Sequence, residues 1–293
     1  MDKTLKMDNN SFVTIGIPTY NAEKFIVNTI NSVLAQTYTN FELIITDDGS
    51  TDNTLALLKN ISDSRIIIIS DGQNKGISCR LNEQISLAKG KYFIRMDADD
   101  IMFKERVEKQ ISFLENNPQV DVIGSSVVII DDENNIIGFR EAKIPEFYED
   151  ALTTNVFIHP TVAGKIEWFK KYQYDEKLSG VEDFELWIRS YEDSVFEVLK
   201  EPFLFYRDPL KFKIKTYTFR LMQQRKVFRN NKLLSQNVLK KIKYIGISYL
   251  KTIFSKILAC LRFENFYISL RNVKVGFELI SKYENELKQF KEK

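Results

Sequence analysis

Thiol and soft-metal chemistry have little to work with in this sequence. Two cysteines, Cys79 and Cys260, and one histidine, His159, occur among 293 residues. That leaves no disulfide framework and no zinc-ligand cluster, and it fits a reducing cytosol. Eleven glycines are also too scattered for the usual phosphate cradles. No GxxxxGK[ST] occurs, and Gly72, Gly76 and Gly90 do not make a GxGxxG after a strand, which disfavours a P-loop NTPase or a dinucleotide dehydrogenase. No stretch of 18 residues is free of charge, so no spanning helix is expected, and the polar opening Met1 to Asn10 carries no leader-like apolar run.

Apolar and aromatic material is plentiful. With 22 Phe, 13 Tyr and 44% apolar residues the chain can bury a large core, enough for one α/β domain plus an appendage or for two modest domains. Charge is unevenly spread. Residues 1–206 carry 21 Lys/Arg against 34 Asp/Glu, a net −13, whereas residues 207–293 carry 21 against 6, a net +15. Between Asp208 and Glu264 there are 14 basic residues and no acid. Such asymmetry marks a change of task, and we place a boundary near 207–215, between a domain over 1–206 and a basic helical region over 207–293.

The first hundred residues alternate β-rich runs with helical spacing. Strands are expected over Phe12–Pro18, Glu42–Thr46, Arg65–Ser70 and Lys91–Met96, with helices over Ala22–Gln36, Ile77–Ala88 and Lys104–Glu115. Gly90 reads as the stop of the second helix, and Asp47-Asp48-Gly49-Ser50 as a turn that caps a following helix. This order implies βαβ units and a mostly parallel sheet, in which ligands bind outside the carboxyl ends of the strands. Three polar clusters fall there: Thr19-Tyr20-Asn21, Asp47-Asp48 and Asp97-Ala98-Asp99-Asp100. Later, Val120–Ile130 and Ile136–Arg140 read as a hairpin, Val181–Tyr191 as a helix with Leu186 and Trp187 in the core, and Val195–Leu199 with Phe203–Arg207 as two short strands. From Thr216 the chain reads as helices.

Carboxylates crowded at one strand end repel each other unless a cation neutralises them. Hard divalent ions such as Mg²⁺ and Mn²⁺ prefer oxygen ligands, so Asp97, Asp99 and Asp100 fit a metal bridging protein to diphosphate. They fit equally a solvated turn capping the next helix. Glu182-Asp183 opens a helix, where ionised carboxylates gain about 0.3–1 kcal/mol. An ionised Asp there could accept a hydroxyl proton, or merely cap.

Taken in order, these segments resemble glycosyltransferase family 2, inverting nucleotide-sugar-dependent enzymes with the GT-A fold. The matches are Val13-Thr-Ile-Gly-Ile-Pro-Thr-Tyr-Asn21, Ser32-Val-Leu-Ala-Gln-Thr-Tyr38, Phe41-Glu-Leu-Ile-Ile-Thr-Asp-Asp-Gly-Ser-Thr-Asp52, Asn74-Lys-Gly76, Ala88-Lys-Gly90, Met96-Asp-Ala-Asp-Asp-Ile101 and Glu182-Asp-Phe-Glu-Leu-Trp187. They span residues 12 to about 207. The resemblance implies a nucleotide-sugar half over about 12–100 and an acceptor half over about 101–206. It implies that Pro18, Thr19 and Tyr20 line the base and ribose, that Asp48 hydrogen-bonds the base, and that Lys75, Gly76 and Arg80 approach the nucleotide. Asp97, Ala98 and Asp99 match the family's DXD motif, Asp97 facing the ribose and Asp99 holding Mn²⁺ or Mg²⁺ on the diphosphate of a UDP-sugar. Asp183 matches the general base, with Glu182 and His159 as candidates for the acceptor or diphosphate side. His159 fits a structural hydrogen bond as well, and Arg95 fits either a phosphate contact or a balance to the acidic cluster. Trp168 stands in a segment where the family tends to carry arginines, a departure on the acceptor side. No Gln-x-x-Arg-Trp of the processive relatives occurs, since Gln223-Gln-Arg-Lys-Val-Phe228 lacks the Trp, so transfer of a single sugar to a saccharide or lipid-linked glycan is expected.

On a helical wheel Ile242, Ile245, Tyr249, Ile253 and Cys260 fall on one arc, and Lys240, Lys243, Lys251 and Arg262 largely on the opposite one. This fits an interfacial helix over 209–263 that meets anionic lipid, with the protein peripheral on the inner face of the cell membrane, or a helical subdomain or dimer interface with a solvated basic back. No nucleic-acid reader motif accompanies the charge. The competing function is a non-catalytic nucleotide-binding scaffold that docks through its basic tail. A nucleotidyltransferase would need a glycine- and lysine-rich activation loop near the start, which is missing.

Overall fold

A computed structural model describes residues 11–208, 213–261 and 277–290. The polar opening, residues 209–212 of the proposed boundary, and Arg262 of the helical wheel lie outside them. Strands β1 (Val13–Thr19), β2 (Phe41–Asp47), β3 (Ile66–Ser70) and β4 (Tyr92–Arg95) are parallel, linked by helices α1 (Ile26–Leu34), α2 (Thr54–Lys59) and α3 (Ile77–Leu87). All seven residues of β1 and of β2 are buried, because helices cover both faces of the central strands and near-continuous apolar runs result. Beyond them come β5 (Ile101–Met102), α4 (Arg106–Asn116), the β6 (Val122–Ile130) and β7 (Ile136–Arg140) hairpin, α5 (Tyr148–Ala151), β8 (Ala163–Lys165), α6 (Ile166–Lys171), α7 (Glu182–Ser190) and β9 (Phe196–Arg207). Helices α8 (Ile214–Asn230), α9 (Lys232–Ser235), α10 (Val238–Cys260) and α11 (Phe277–Leu287) follow. The sheet order is β3-β2-β1-β4-β8-β6-β9-β5, with β7 on β6.

The sheet is parallel from β3 to β4 and mixed beyond, because the short β8 enters antiparallel between β4 and β6. Three residues are too few to show alternation, so β8 and the two-residue β5 have no sequence signature. The two short strands expected over 195–207 form one 12-residue strand, β9, whose register shifts where Leu199 pairs Ser125 and Pro202 pairs Ser126. Pro202 lacks the N–H that an unbroken ladder would need.

Period-two alternation sorts side chains between two cores. On β4, Tyr92 and Ile94 join a cluster under α1 and α4, while Phe93 joins a second built around Phe157, Trp168, Phe169 and Trp187. Leu186 and Trp187 are core, as expected, and Trp168 stacks on Trp187 at 5.7 Å. That second core also takes Val227, Phe228, Leu234 and Tyr244 from the C-terminal helices. A third cluster joins Ile101, Phe103 and Phe205 to Tyr283, Leu287 and Phe290.

Two turn readings are corrected. The helix before Gly90 is capped at Ala88 in an extended conformation, and Gly90 is not its left-handed stop. Its lack of a side chain serves the passage across β1, where a Cβ would lie 2.7 Å from the Val13 carbonyl carbon and 2.8 Å from the Tyr92 oxygen. Nor does Asp47-Asp48 cap α2. Asp52 does that work, accepting the Thr54 N–H at 2.9 Å. Because backbone surrounds Gly90, Gly90→Ala is expected to cost about 1–3 kcal/mol, read as a lower urea midpoint with an unchanged m-value.

Candidate active site

The strand ends form a floor with two cavities above it. The smaller, of about 400 Å³, is walled by Pro18, Thr19 and Tyr20 at the end of β1, by Asp48 and Arg80, and by Asp97, Ala98 and Asp99 beyond β4. The structure thus gathers eight of the residues expected on the nucleotide side. Lys75 and Gly76 are not in this wall but stand next to it, at the start of α3. Their N–H groups donate to the Asp48 carboxylate, Lys75 at 2.7 Å and Gly76 at 3.0 Å. Gly76 does so at φ +86, a conformation that favours glycine. The Lys75 ammonium turns away to Asp71 at 2.5 Å.

Asp48 also accepts from Arg80 Nε at 2.9 Å. The Arg80 side chain is fully buried and further bonds Asp71, Glu83 and the Gln73 carbonyl. Burial opposes its charge, yet bonds from Asp71, Glu83 and Asp48 hold it above its ordinary pKa. Asp48 is thereby a structural hub for the loop into α3 as well as part of the cavity wall.

At the end of β4, ligand oxygens of Asp97, Asp99 and Asp100 all lie within 4.8 Å of one another. Asp100 is fully buried; it accepts the Arg207 N–H at 2.8 Å, and its Oδ2 has no partner among the described residues. It does not cap α4, whose N-cap is Glu105, five residues later. Burial, then the neighbouring Asp97, pushes the Asp99 carboxyl up to about 6, and burial with Asp99 and Asp97 raises Asp100 as well. Two guanidiniums counter the crowding. Arg95 Nη2 pairs with Asp97 at 2.5 Å, and Arg207 Nε donates to the Asp99 carbonyl at 2.8 Å. An all-oxygen donor set with an unpartnered carboxylate oxygen fits a hard divalent cation.

The larger cavity, about 990 Å³, shares Ile77 and Asp97 with the smaller one and is walled by Arg95, His159, Glu182 and Asp183. Asp183 sits in the first turn of α7 and accepts the next residue's N–H at 2.8 Å. Burial raises its pKa, against the pull of the Phe184 N–H and of Arg95. Glu182 is buried, its carboxyl raised by burial and by Asp183. His159 Nε2 is 2.8 Å from the Tyr174 hydroxyl, and burial with nearby Arg95 holds the ring neutral to low pH. His159 thus makes a structural hydrogen bond within a cavity wall. Trp168 points into the core, its Nε1 donating to Ser194 at 2.8 Å.

The sequence did not single out Arg106 or Arg207. Arg106 is fully buried and joins the Arg95 and Pro160 carbonyls at 2.9 Å each, burial lowering its pKa to about 9. Arg207 reaches Asn134 Oδ1 at 2.6 Å, and Asn134 Nδ2 donates to the Phe290 carbonyl at 3.0 Å. Their partners are mostly backbone carbonyls remote in sequence, which no motif records. Arg95 is buried with Nε and Nη1 lacking partners among the described residues.

The chain belongs to glycosyl transferase family 2, whose model matches residues 14–173, more than half of the sequence. It is a nucleotide-sugar glycosyltransferase with a GT-A-like α/β domain followed by C-terminal helices. An uncharacterized glycosyltransferase of Methanocaldococcus jannaschii is 35% identical over 222 residues, covering 71% of this chain and 72% of its own. WfgD of Escherichia coli, a UDP-Glc:alpha-D-GlcNAc-diphosphoundecaprenol beta-1,3-glucosyltransferase, is 38% identical over 126 residues, 43% of this chain and 49% of that protein. The fold is shared with the mannosyltransferase PcManGT of Pyrobaculum calidifontis, solved with GDP-Man and Mn²⁺, at TM-score 0.58 and 14% identity over 94% of this chain and 83% of that one.

Removing the guanidinium that Asp48 faces strands a buried carboxylate. Arg80→Leu is therefore expected to lose about 3–5 kcal/mol of stability, measured by chemical denaturation, and a change within about 1 kcal/mol, the upper end for an exposed pair, would show Asp48 to be solvated in solution.

Proposed function

We propose that the chain is a metal-dependent, inverting hexosyltransferase that moves one sugar from a UDP-sugar to a saccharide or lipid-linked glycan hydroxyl. Asp183 is the general base, and Asp99 with Asp97 holds Mn²⁺ or Mg²⁺. The observation that carries this reading is the double place of Asp97, in the wall lined by Pro18, Thr19, Tyr20 and Asp48 and in the wall that contains Asp183. A nucleotide seated in the first cavity directs its diphosphate toward the second. The UDP donor and lipid-diphosphate acceptor of the E. coli relative, and the Mn²⁺ of the Pyrobaculum fold relative, support the same reading.

The chemistry is a single displacement. The acceptor oxygen bonds to the anomeric carbon while its proton passes to the Asp183 carboxylate. The bond from that carbon to the diphosphate oxygen breaks, and its electron pair leaves on the diphosphate. Arg95, with two unpartnered donor atoms, offers N–H groups to the developing charge. Asp97 and Asp99 would hold a divalent cation, which would supply Lewis-acid neutralisation of that charge. One displacement inverts the centre, so no covalent nucleophile is required. Incubation with UDP-, GDP- and dTDP-sugars plus Mn²⁺, scored for transfer and hydrolysis, tests the donor class.

Asp183→Asn is expected to lower kcat by about 10²–10⁴-fold with calorimetric donor affinity unchanged; lost donor affinity would contradict the base assignment. Because burial raises the Asp183 pKa, its protonated, inactive form persists above the ordinary carboxylate range. The kcat of the native protein should therefore fall on acidification through a value above about 4, the usual Asp pKa. Asp99→Ala should weaken UDP binding in Mn²⁺ and leave binding in EDTA unaltered, while Arg95→Leu should weaken it in both; equal affinities for all three proteins would remove the diphosphate from this wall.

A further inference from the structure

Helix α10 packs with its polar side inward. Its buried side chains are Tyr244, Ser248 and Ser255. Arg225, buried on α8, donates to Ser248 Oγ at 3.2 Å and Thr252 Oγ1 at 3.0 Å, and Ser248 Oγ donates to the Leu221 carbonyl at 3.2 Å. The opposite side carries Leu239, Ile242, Leu250, Ile253, Phe254 and Ile257, each between 50% and 81% exposed. At 3.6 residues per turn these six occupy an arc of about 120°, facing away from the buried serines. Lys256 borders one edge of the arc, Lys240 and Lys251 lie beyond the other, and Lys243 falls within it, between Leu250 and Phe254. Of the apolar stripe expected from the sequence, Ile242, Ile253 and Cys260 are exposed on this side, whereas Ile245 packs against the second core and Tyr249 lies under the Arg225 guanidinium.

A core stripe is buried, whereas an exposed apolar face of this extent marks an interaction surface. We infer that α10 docks flat on an anionic lipid surface, its apolar row entering the acyl boundary and its lysines lying at the headgroups. Charge selects this occupant. A second copy laid face to face would bring two lysine-bordered rows together, with no Asp or Glu between Asp208 and Glu264 to pair them. Lys240 is paired with Glu149 at 2.5 Å, and anionic headgroups supply the missing charge for Lys243 and Lys256, where basic residues at such a surface each gain about 1 kcal/mol. The helix lies on the membrane and does not span it: among the described residues no helix is long and apolar enough to cross. Lys251 lines the Asp183 cavity, one residue from Leu250 of the apolar row. Docking therefore holds that wall of the cavity at the lipid surface, where, on the reading given under Proposed function, a lipid-linked acceptor presents its sugar.

The test is flotation of the full-length protein with phosphatidylcholine vesicles and with vesicles that also contain phosphatidylglycerol, without donor or glycan acceptor. Expected is at least about tenfold stronger binding to the anionic vesicles, weakened by salt. Leu250→Glu with Ile253→Glu should lose that binding while the melting temperature holds, because both side chains are already solvent-exposed. Lys243→Glu with Lys256→Glu should lose the preference for anionic lipid. Equal binding to both vesicle types, or no binding to either, overturns the proposal. A lipid-free dimer that the Leu250→Glu, Ile253→Glu variant abolishes overturns it too, in favour of a second copy. Since these vesicles hold nothing to glycosylate, the outcome is independent of whether Asp183 acts as base.

Discussion

Three carboxylates meet at the end of β4, and most of the site is arranged around the cost of keeping them there. Burial, and then like charges within 4.8 Å, raise the proton affinity of Asp99 and Asp100. The fold answers with guanidiniums from opposite directions: Arg95 from the strand itself onto Asp97, and Arg207 from the end of β9 onto the Asp99 carbonyl and the Asp100 carboxylate through its own N–H. Arg106 then ties the Arg95 carbonyl to Pro160, so the cationic support is itself anchored. The compensation is incomplete. Asp100 Oδ2 and two Arg95 nitrogens have no partners among the described residues. Such residual demand, from both signs at once, is what a cation bound together with an anionic diphosphate would satisfy.

The same arrangement explains the antiparallel intrusion of β8. A parallel α/β sheet ends its ligand site where the helices stop. Here β8 pairs with β4 and places the segment before it, His159 to Thr161, directly behind the acidic cluster. That brings the neutral His159–Tyr174 pair and the first turn of α7 to one cavity. The parallel part of the sheet and the part beyond it are thus joined through a three-residue strand, with Asp97 in the walls of both cavities.

Legibility in the sequence followed physical range. The strands β1 and β2 were readable because burial on both faces demands unbroken apolar runs, and α3, α4 and α7 because one buried face imposes helical spacing. The strand-end carboxylates and the first-turn Asp183 were readable as chemistry for the same reason: each is local. What was not readable depends on contacts distant in sequence. Arg106 and Arg207 act on remote backbone carbonyls. Gly90 is small because β1 crosses it, not because a helix ends there. Asp48 lines the cavity, yet it also binds two backbone amides and Arg80. The apolar arc of α10 was visible on a wheel, but its direction was not, since it takes Ser248 and Thr252, bonded by Arg225, to reveal which side turns inward.

Asn134 is held between Arg207 on one side and the Phe290 carbonyl on the other, and Asn28 reaches that same carbonyl at 3.3 Å. Glu286 adds a bond to the Lys104 backbone amide at 2.7 Å. The Glu286–Phe290 segment is in this way a latch on the acidic cluster, with Phe290 262 positions from Asn28 in sequence. Trimming it would reach that cluster from outside, loosening the clasp that keeps Arg207 against Asp99 while leaving every acid of the cluster intact.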